Sequence, residues 1–133
     1  MTYLLDTDTC IYWIKNIEPV RNKVKEIGWE RICICSITIA ELYFGAYNSQ
    51  KVSENLTRAE DFIKNITVIP LEQNTLKTFG KLKAELRKIG QPVAEFDLLI
   101  ASVALTRDDI LVTNNTRHYS RITGLKLENW LLS

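Results

Sequence analysis

A chain of 133 residues with 46% hydrophobic and 25% charged residues has the profile of one soluble globular domain over residues 1–133, with enough apolar side chain for a real core. Its net charge of +1 exerts no global pull on nucleic acid, so any such binding must rest on a local patch. No apolar run approaches the roughly 20 residues of a membrane helix and no basic-then-apolar leader opens the chain, so a cytoplasmic protein without a membrane partner is expected.

Taken in order, Tyr3-Leu-Leu5 is a short apolar run that stops at Asp6. It predicts a buried strand that delivers a carboxylate to its C-terminal end, where open α/β sheets bind ligands. The competing reading is that Asp6 or Thr7 caps the helix that follows, and Asp8 carries the same two readings. Pro19 suits the first turn of a helix that runs to about Ile27 and stops at Gly28. Arg31–Cys35 reads as a second strand, with Ser36 as the N-cap of a helix over Ile37–Tyr47. Cys10, Cys33 and Cys35, odd in number and set among apolar residues, fit buried reduced thiols. Cys33 and Cys35 are read as facing opposite sides of their strand, which argues against a metal pair.

On the Ile37–Tyr47 helix, Ile37, Ala40, Tyr43, Phe44 and Tyr47 form the expected apolar face and Glu41 stands beside it. A helix over Ser53–Asn65 completes an αα-hairpin. Thr67–Ile69 is a third strand, and Gln73–Ile89 a helix with Leu76, Phe79, Leu82, Leu86 and Ile89 inward. A loop carrying Glu95 leads to Asp97, which opens a helix whose Leu98–Leu105 run is apolar nearly all round and therefore buried. Ile110–Thr113 is a fourth strand, and Leu125–Leu127 an edge strand. Strands alternating with helices predict an α/β fold, a sandwich around a mostly parallel sheet.

In such a sheet Asp6, Glu41 and Asp97, together with Asn115 and His118 after the fourth strand, all fall on the C-terminal edge. Converging acids repel, and burying them without a cation is costly. Hard Mg²⁺ or Mn²⁺ prefers oxygen ligands and supports hydrolysis of a phosphodiester. Each residue has a plainer role as well. Glu41 can be a surface helix acid, Asp97 an N-cap, Glu95 a solvated charge, and His118, the single histidine, a structural one. Lys77, Lys81 and Lys88 recur near one face of their helix, as phosphate contacts or as a solvated face, while Arg117 and Arg121 flank the site and are better placed for such contacts.

Four stretches together resemble the PIN-domain ribonucleases, and within them the VapC toxins of bacterial toxin–antitoxin pairs. They are Tyr3-Leu-Leu-Asp6-Thr-Asp8, Ser36-Ile-Thr38-Ile-Ala-Glu41-Leu, Phe96-Asp97-Leu-Leu-Ile-Ala101 and Leu111-Val-Thr113-Asn-Asn115-Thr-Arg117, with Ile122–Trp130 resembling the family's ending. The resemblance implies a three-layer α/β/α PIN domain and an endoribonuclease toxin dependent on Mg²⁺, with Mn²⁺ as a substitute. It also implies an RNA substrate such as tRNA, arrest of translation, a homodimer, and a cognate VapB-type antitoxin that fills the groove. Asp6, Glu41 and Asp97 fall on the family's three principal acids. A fourth acid is expected after the last core strand, often where His118 stands, and residues 114–118 contain none. The resemblance therefore leaves a weak or absent second metal, or Glu95 as the missing oxygen donor. The resemblance also implies that Thr113, at a hydroxyl position, orients water and that Asn115 and Arg117 contact RNA, and it leaves His118 to bind metal, orient RNA or simply pack.

Two other readings compete. Asp6-Thr-Asp8 after a strand also resembles a haloacid dehalogenase-type phosphatase, which needs paired acids after a later strand, whereas Asp108-Asp109 precedes one. The other is a catalytically weakened PIN fold that acts by binding RNA or a partner.

Overall fold

The computed structural model describes residues 1–132, so the last residue of the domain expected over 1–133 lies outside it. Strands β1 (Tyr3–Leu5), β2 (Ile32–Cys35), β3 (Thr67–Ile69), β4 (Ile110–Val112) and β5 (Lys126–Glu128) form one sheet in the order β3-β2-β1-β4-β5. Each of the four pairings is parallel, with Tyr3 opposite both Ile32 and Ile110. The sheet described is thus wholly parallel, a step beyond the mostly parallel expectation. The helices are α1 (Thr7–Ile14), α2 (Glu18–Ile27), α3 (Ser36–Tyr47), α4 (Val52–Lys64), α5 (Gln73–Lys88), α6 (Glu95–Arg107) and α7 (Thr116–Tyr119).

Why the central strands are apolar at every position follows from the two cores. Leu4, Cys33, Cys35 and Leu111 belong to one core, with α5 and α6 residues such as Leu86, Leu98 and Ala101. Leu5, Ile32, Ile34 and Val112 belong to the other, with Cys10, Val20, Leu42 and Ala59 from α1 to α4. Helices cover both faces, so neither set of alternate side chains meets water. Cys33 and Cys35 share a face, correcting the sequence reading; residues two apart on a strand must do so. All three thiols are free and buried.

Three helix starts matter for the site, the first on a reading the sequence left open and the other two shifted from expectation. Asp6 is the N-cap of α1, its Oδ1 accepting from the Thr9 amide at 2.9 Å. Ser36 lies inside α3, with Cys35 at the cap position and the Ser36 hydroxyl 3.4 Å from the Ile69 carbonyl. Helix α6 starts at Glu95 rather than at Asp97, because the Leu98 amide closes the first turn on the Ala94 carbonyl at 2.9 Å. Asp97 therefore stands in the first turn, where the helix dipole favours negative charge.

The turn into β5 requires Gly124, which has φ +85°. A Cβ there would meet only Leu105 Cδ2, at an ordinary 3.9 Å. Gly124→Ala is expected to cost about 1–2 kcal/mol through backbone strain alone, read as a lower urea midpoint with an unchanged m-value.

Candidate functional site

Chain order places β2 and β3 on one side of β1, and β4 and β5 on the other. The connections thus diverge at the β1/β4 boundary, and beyond the carboxyl ends of those two strands lies the crevice of an open parallel sheet. Asp6 follows β1 directly and Thr113 follows β4 directly, with the Asp6 amide bonded to the Val112 carbonyl at 3.0 Å.

Asp6 is only 6% exposed. Burial raises its pKa above the usual carboxylate value, and the Thr113 hydroxyl and the Thr9 amide and hydroxyl pull it back down. Cap and site acid were alternatives in the sequence; Asp6 occupies the positions of both. One oxygen takes the helix amide, and the carboxylate still sits in the crevice. Thr113 is fully buried and its hydroxyl accepts from the Asn115 amide at 3.0 Å, which fixes the turn after β4.

Glu41 reaches the same place from the second turn of α3. The Thr7 hydroxyl donates to its Oε1 at 2.5 Å and lies 3.3 Å from the Thr38 hydroxyl. Burial raises the Glu41 pKa; the Thr7 bond opposes this, and the negative charges of Asp97, Asp8 and Asp6 reinforce it. Asp97, with a side chain 38% exposed, has its Oδ2 3.4 Å from His118 Nε2. Beside it Tyr119 is 1% exposed, and burial first, then the charges of Asp97 and Asp6, hold its phenol protonated far above its usual range. Glu41 also acts on that phenol, so one buried ring feels all three acids.

Among the described residues no three of the His, Cys, Asp and Glu side chains already stand close enough to hold one ion. The donor set nevertheless suits a divalent cation. Two of the three carboxylates, Asp6 and Glu41, are pushed toward the protonated form first by burial, with the charge of Asp8 acting on both and those of Asp97 and Asp6 on Glu41, a repulsion that a cation would relieve. All-oxygen donors of this kind match hard Mg²⁺ or Mn²⁺.

The remaining expected residues separate. Glu95, expected as an extra oxygen donor, is exposed and held by Lys83 of α5 at 2.6 Å, which lowers its pKa. A strong local partner therefore competes with any ion for that carboxylate. Asn115 and Arg117 are exposed on the loop and on α7. Arg121 is exposed too, but its Nη1 bonds the Pro92 carbonyl at 2.9 Å and braces the loop before α6. Asp109 precedes β4, where Arg107 Nε at 2.8 Å and the Thr2 hydroxyl hold it at the end of the strand away from Asp6. That placement removes the phosphatase reading's paired acids from the site. Sequence reading gives Thr7, Thr9 and Tyr119 no part in the site; the hints of them are the hydroxyl residues beside Asp6 and an aromatic beside His118.

Helix α3 also turns differently from expectation. Thr38, Leu42 and Ala46 are its buried residues, while Phe44 and Tyr47 are 69% and 66% exposed. The helix is apolar on nearly every side, so periodicity alone could not choose the inward face. Next to Glu41, a groove of about 310 Å³ runs between α1, α3 and α4, lined by Ile11, Ile14, Leu42 and Ala59 with Lys15 and Arg58 among its borders.

A family model for the PIN domain matches residues 3–125. The chain is 38% identical over 130 residues to the tRNA(fMet)-specific endonuclease VapC of Shigella flexneri, covering 98% of each chain. It is 38% identical over 133 residues to ribonuclease VapC2 of Haemophilus influenzae, covering 98% of this chain and 99% of that one. Among solved structures, the DNA-bound VapBC of Salmonella typhimurium superposes with a TM-score of 0.91 at 38% identity, over 98% of both chains. Matches of this extent, at this identity, show that the chain belongs to the PIN domain family and, within it, to the VapC ribonucleases.

Proposed function

We propose that this protein is a divalent-metal-dependent endoribonuclease toxin that hydrolyses RNA phosphodiester bonds and is neutralised by a VapB-type antitoxin. The observation that carries the reading is the convergence of Asp6, Glu41 and Asp97 at the β1/β4 crevice of a chain 38% identical to a named VapC endonuclease. Asp6, Glu41 and Asp97 would hold the cation, Mg²⁺ by preference with Mn²⁺ as a substitute. When bound, that cation supplies activation of water and neutralisation of charge on the reacting phosphate.

The chain's own residues do the rest. The Thr9 amide and Thr113 fix Asp6, so its carboxylate would receive the cation without rearranging. Thr7 fixes Glu41 in the same way. Asn115 and Arg117 line the approach as RNA contacts, and Lys77, Lys81 and Lys88, all exposed on α5, extend a basic face along it. The substrate class is tRNA, on the strength of the Shigella relative's name.

The groove beside Glu41 offers an apolar floor and cationic borders, which suits an antitoxin segment presenting apolar and acidic side chains. Exposed Phe44 and Tyr47 suit a covered position in a homodimer or in the antitoxin complex. No helix among the described residues is long and apolar enough to cross a membrane; we place the protein in the cytoplasm as one domain over residues 1–133, alongside its RNA substrate.

The test is incubation of antitoxin-free protein with total cellular RNA in Mg²⁺ or Mn²⁺. Discrete fragments that disappear with EDTA, and in the Asp6→Asn variant, are the expected result. A folded protein that binds RNA but cuts nothing in either metal would favour the weakened PIN reading, which the lack of an acid at 114–118 supports.

A further inference from the structure

We propose that His118 is a nitrogen ligand of the cation held by Asp6 and Asp97, which tilts the site from Mg²⁺ toward Mn²⁺ and the later first-row metals. The inference rests on the metal-dependent reading above and concerns the one position where this chain has an imidazole and no carboxylate nearby in residues 114–118.

Two observations converge on Nε2. It is buried with no hydrogen-bond partner, although a buried polar nitrogen ordinarily finds one. It lies 3.4 Å from Asp97 Oδ2, without the geometry of a hydrogen bond. Two donors each about 2.1 Å from a shared ion sit roughly 3.0–3.4 Å apart in octahedral or tetrahedral arrangements, so the observed separation is that of neighbouring ligands.

The ring is also held in place. It meets buried Tyr119 edge-on, with centroids 5.3 Å apart at 74°, and the His118 amide bonds the Asn115 carbonyl at 3.1 Å. Tyr119 itself is fixed in the core with Leu98 and Ala101 of α6, the helix that carries Asp97. One packed unit therefore positions both the imidazole and the carboxylate.

The metal consequence follows from donor chemistry. Carboxylates and water suit Mg²⁺, whereas imidazole favours metals further along the first-row series. An acid at position 118 would make the site all-oxygen and harder; an imidazole makes it borderline.

Because the chain has one histidine, the test is direct. Tag-free protein is loaded with Mn²⁺ and examined by electron spin-echo envelope modulation, once unlabelled and once grown with ¹⁵N-histidine. A directly bound ¹⁴N coupling that converts to the ¹⁵N pattern on labelling is expected, and the label changes no side chain, so folding is not at issue. By calorimetry, His118→Asp is expected to lower the ratio of Mn²⁺ to Mg²⁺ affinity by roughly tenfold, as for changes of donor close to a metal.

Mn²⁺ that binds in an Asp6-dependent manner without any histidine nitrogen coupling would overturn the assignment and leave the nuclease reading intact. Mn²⁺ that fails to bind, or binds equally to Asp6→Asn, would overturn both.

Discussion

Asp97→Asn is expected to reduce RNA cleavage by at least about a thousandfold while leaving the melting temperature within a degree or two, since a group acting on charge in the transition state is worth several kcal/mol. The separation of the two readouts comes from where Asp97 sits. It is the third residue of α6, not its cap, and its side chain is 38% exposed, so an isosteric amide fits without a new cavity or a lost helix bond. What the amide loses is the negative charge, which the proposed cation site cannot spare.

Asp6→Asn provides the companion result, with a sign that can be worked out. Burial raises the Asp6 pKa in the folded state, so folding binds its proton more tightly than the unfolded chain does. The ionised form therefore works against folding at neutral pH, and this penalty is relieved as pH falls through the folded pKa toward the unfolded one. In metal-free protein at pH 7, Asn at position 6 should keep the helix cap, remove that penalty, and leave stability equal or higher while activity is lost. Urea midpoints at pH 7 beside cleavage assays check both halves. A variant that cuts at the wild-type rate, or that unfolds, would refute the assignment of the residue changed.

Trp130→Ala is expected to destabilise the fold by about 3–5 kcal/mol, a large share of the total for a domain of this size. Trp130 is 1% exposed and among the largest fully buried side chains. It packs edge-on against Tyr3 of β1, centroids 5.8 Å apart, and its indole donates to Glu128 Oε1 at 3.0 Å. The residue thus ties the segment after β5 to the strand that carries Asp6. Urea unfolding followed by circular dichroism measures the loss. Trp130→Phe, which keeps most of the burial and removes the indole bond, should recover more than half of it.

Much of the fold was legible because the signals are local. Apolar runs three or four residues long ended in turn residues, and the four core strands were found within a residue or two of their observed bounds. The buried character of α6 was equally readable, since Leu98, Ile100, Ala101, Val103 and Ala104 leave no polar stripe for water. Asp6, Glu41 and Asp97 were candidates for the same reason: each follows a strand or opens a helix at the end where a parallel sheet binds ligands.

Where local pattern gives no preference, the outcome differed. On α3 the predicted face included Phe44 and Tyr47, which are exposed, because packing against α1, α4 and the sheet, and not periodicity, selects the inward side. Leu76 and Ile89 of the next predicted stripe are likewise 48% and 62% exposed.

By itself the sequence determined the element order and the alternation that forces a parallel α/β sheet, and it nominated three carboxylates at one edge of that sheet. Only the tertiary structure decided their company. It made Asp6 both cap and crevice acid, occupied Glu95 with Lys83, and set Thr7 on Glu41 and His118 beside Asp97. Apart from the Asp6–Thr9 cap, those partners lie 12 to 34 residues apart and on different elements. Helix and strand periods report neighbours within a few residues, whereas contacts between elements depend on strand order and on how α5, α6 and α7 pack over one face of the sheet.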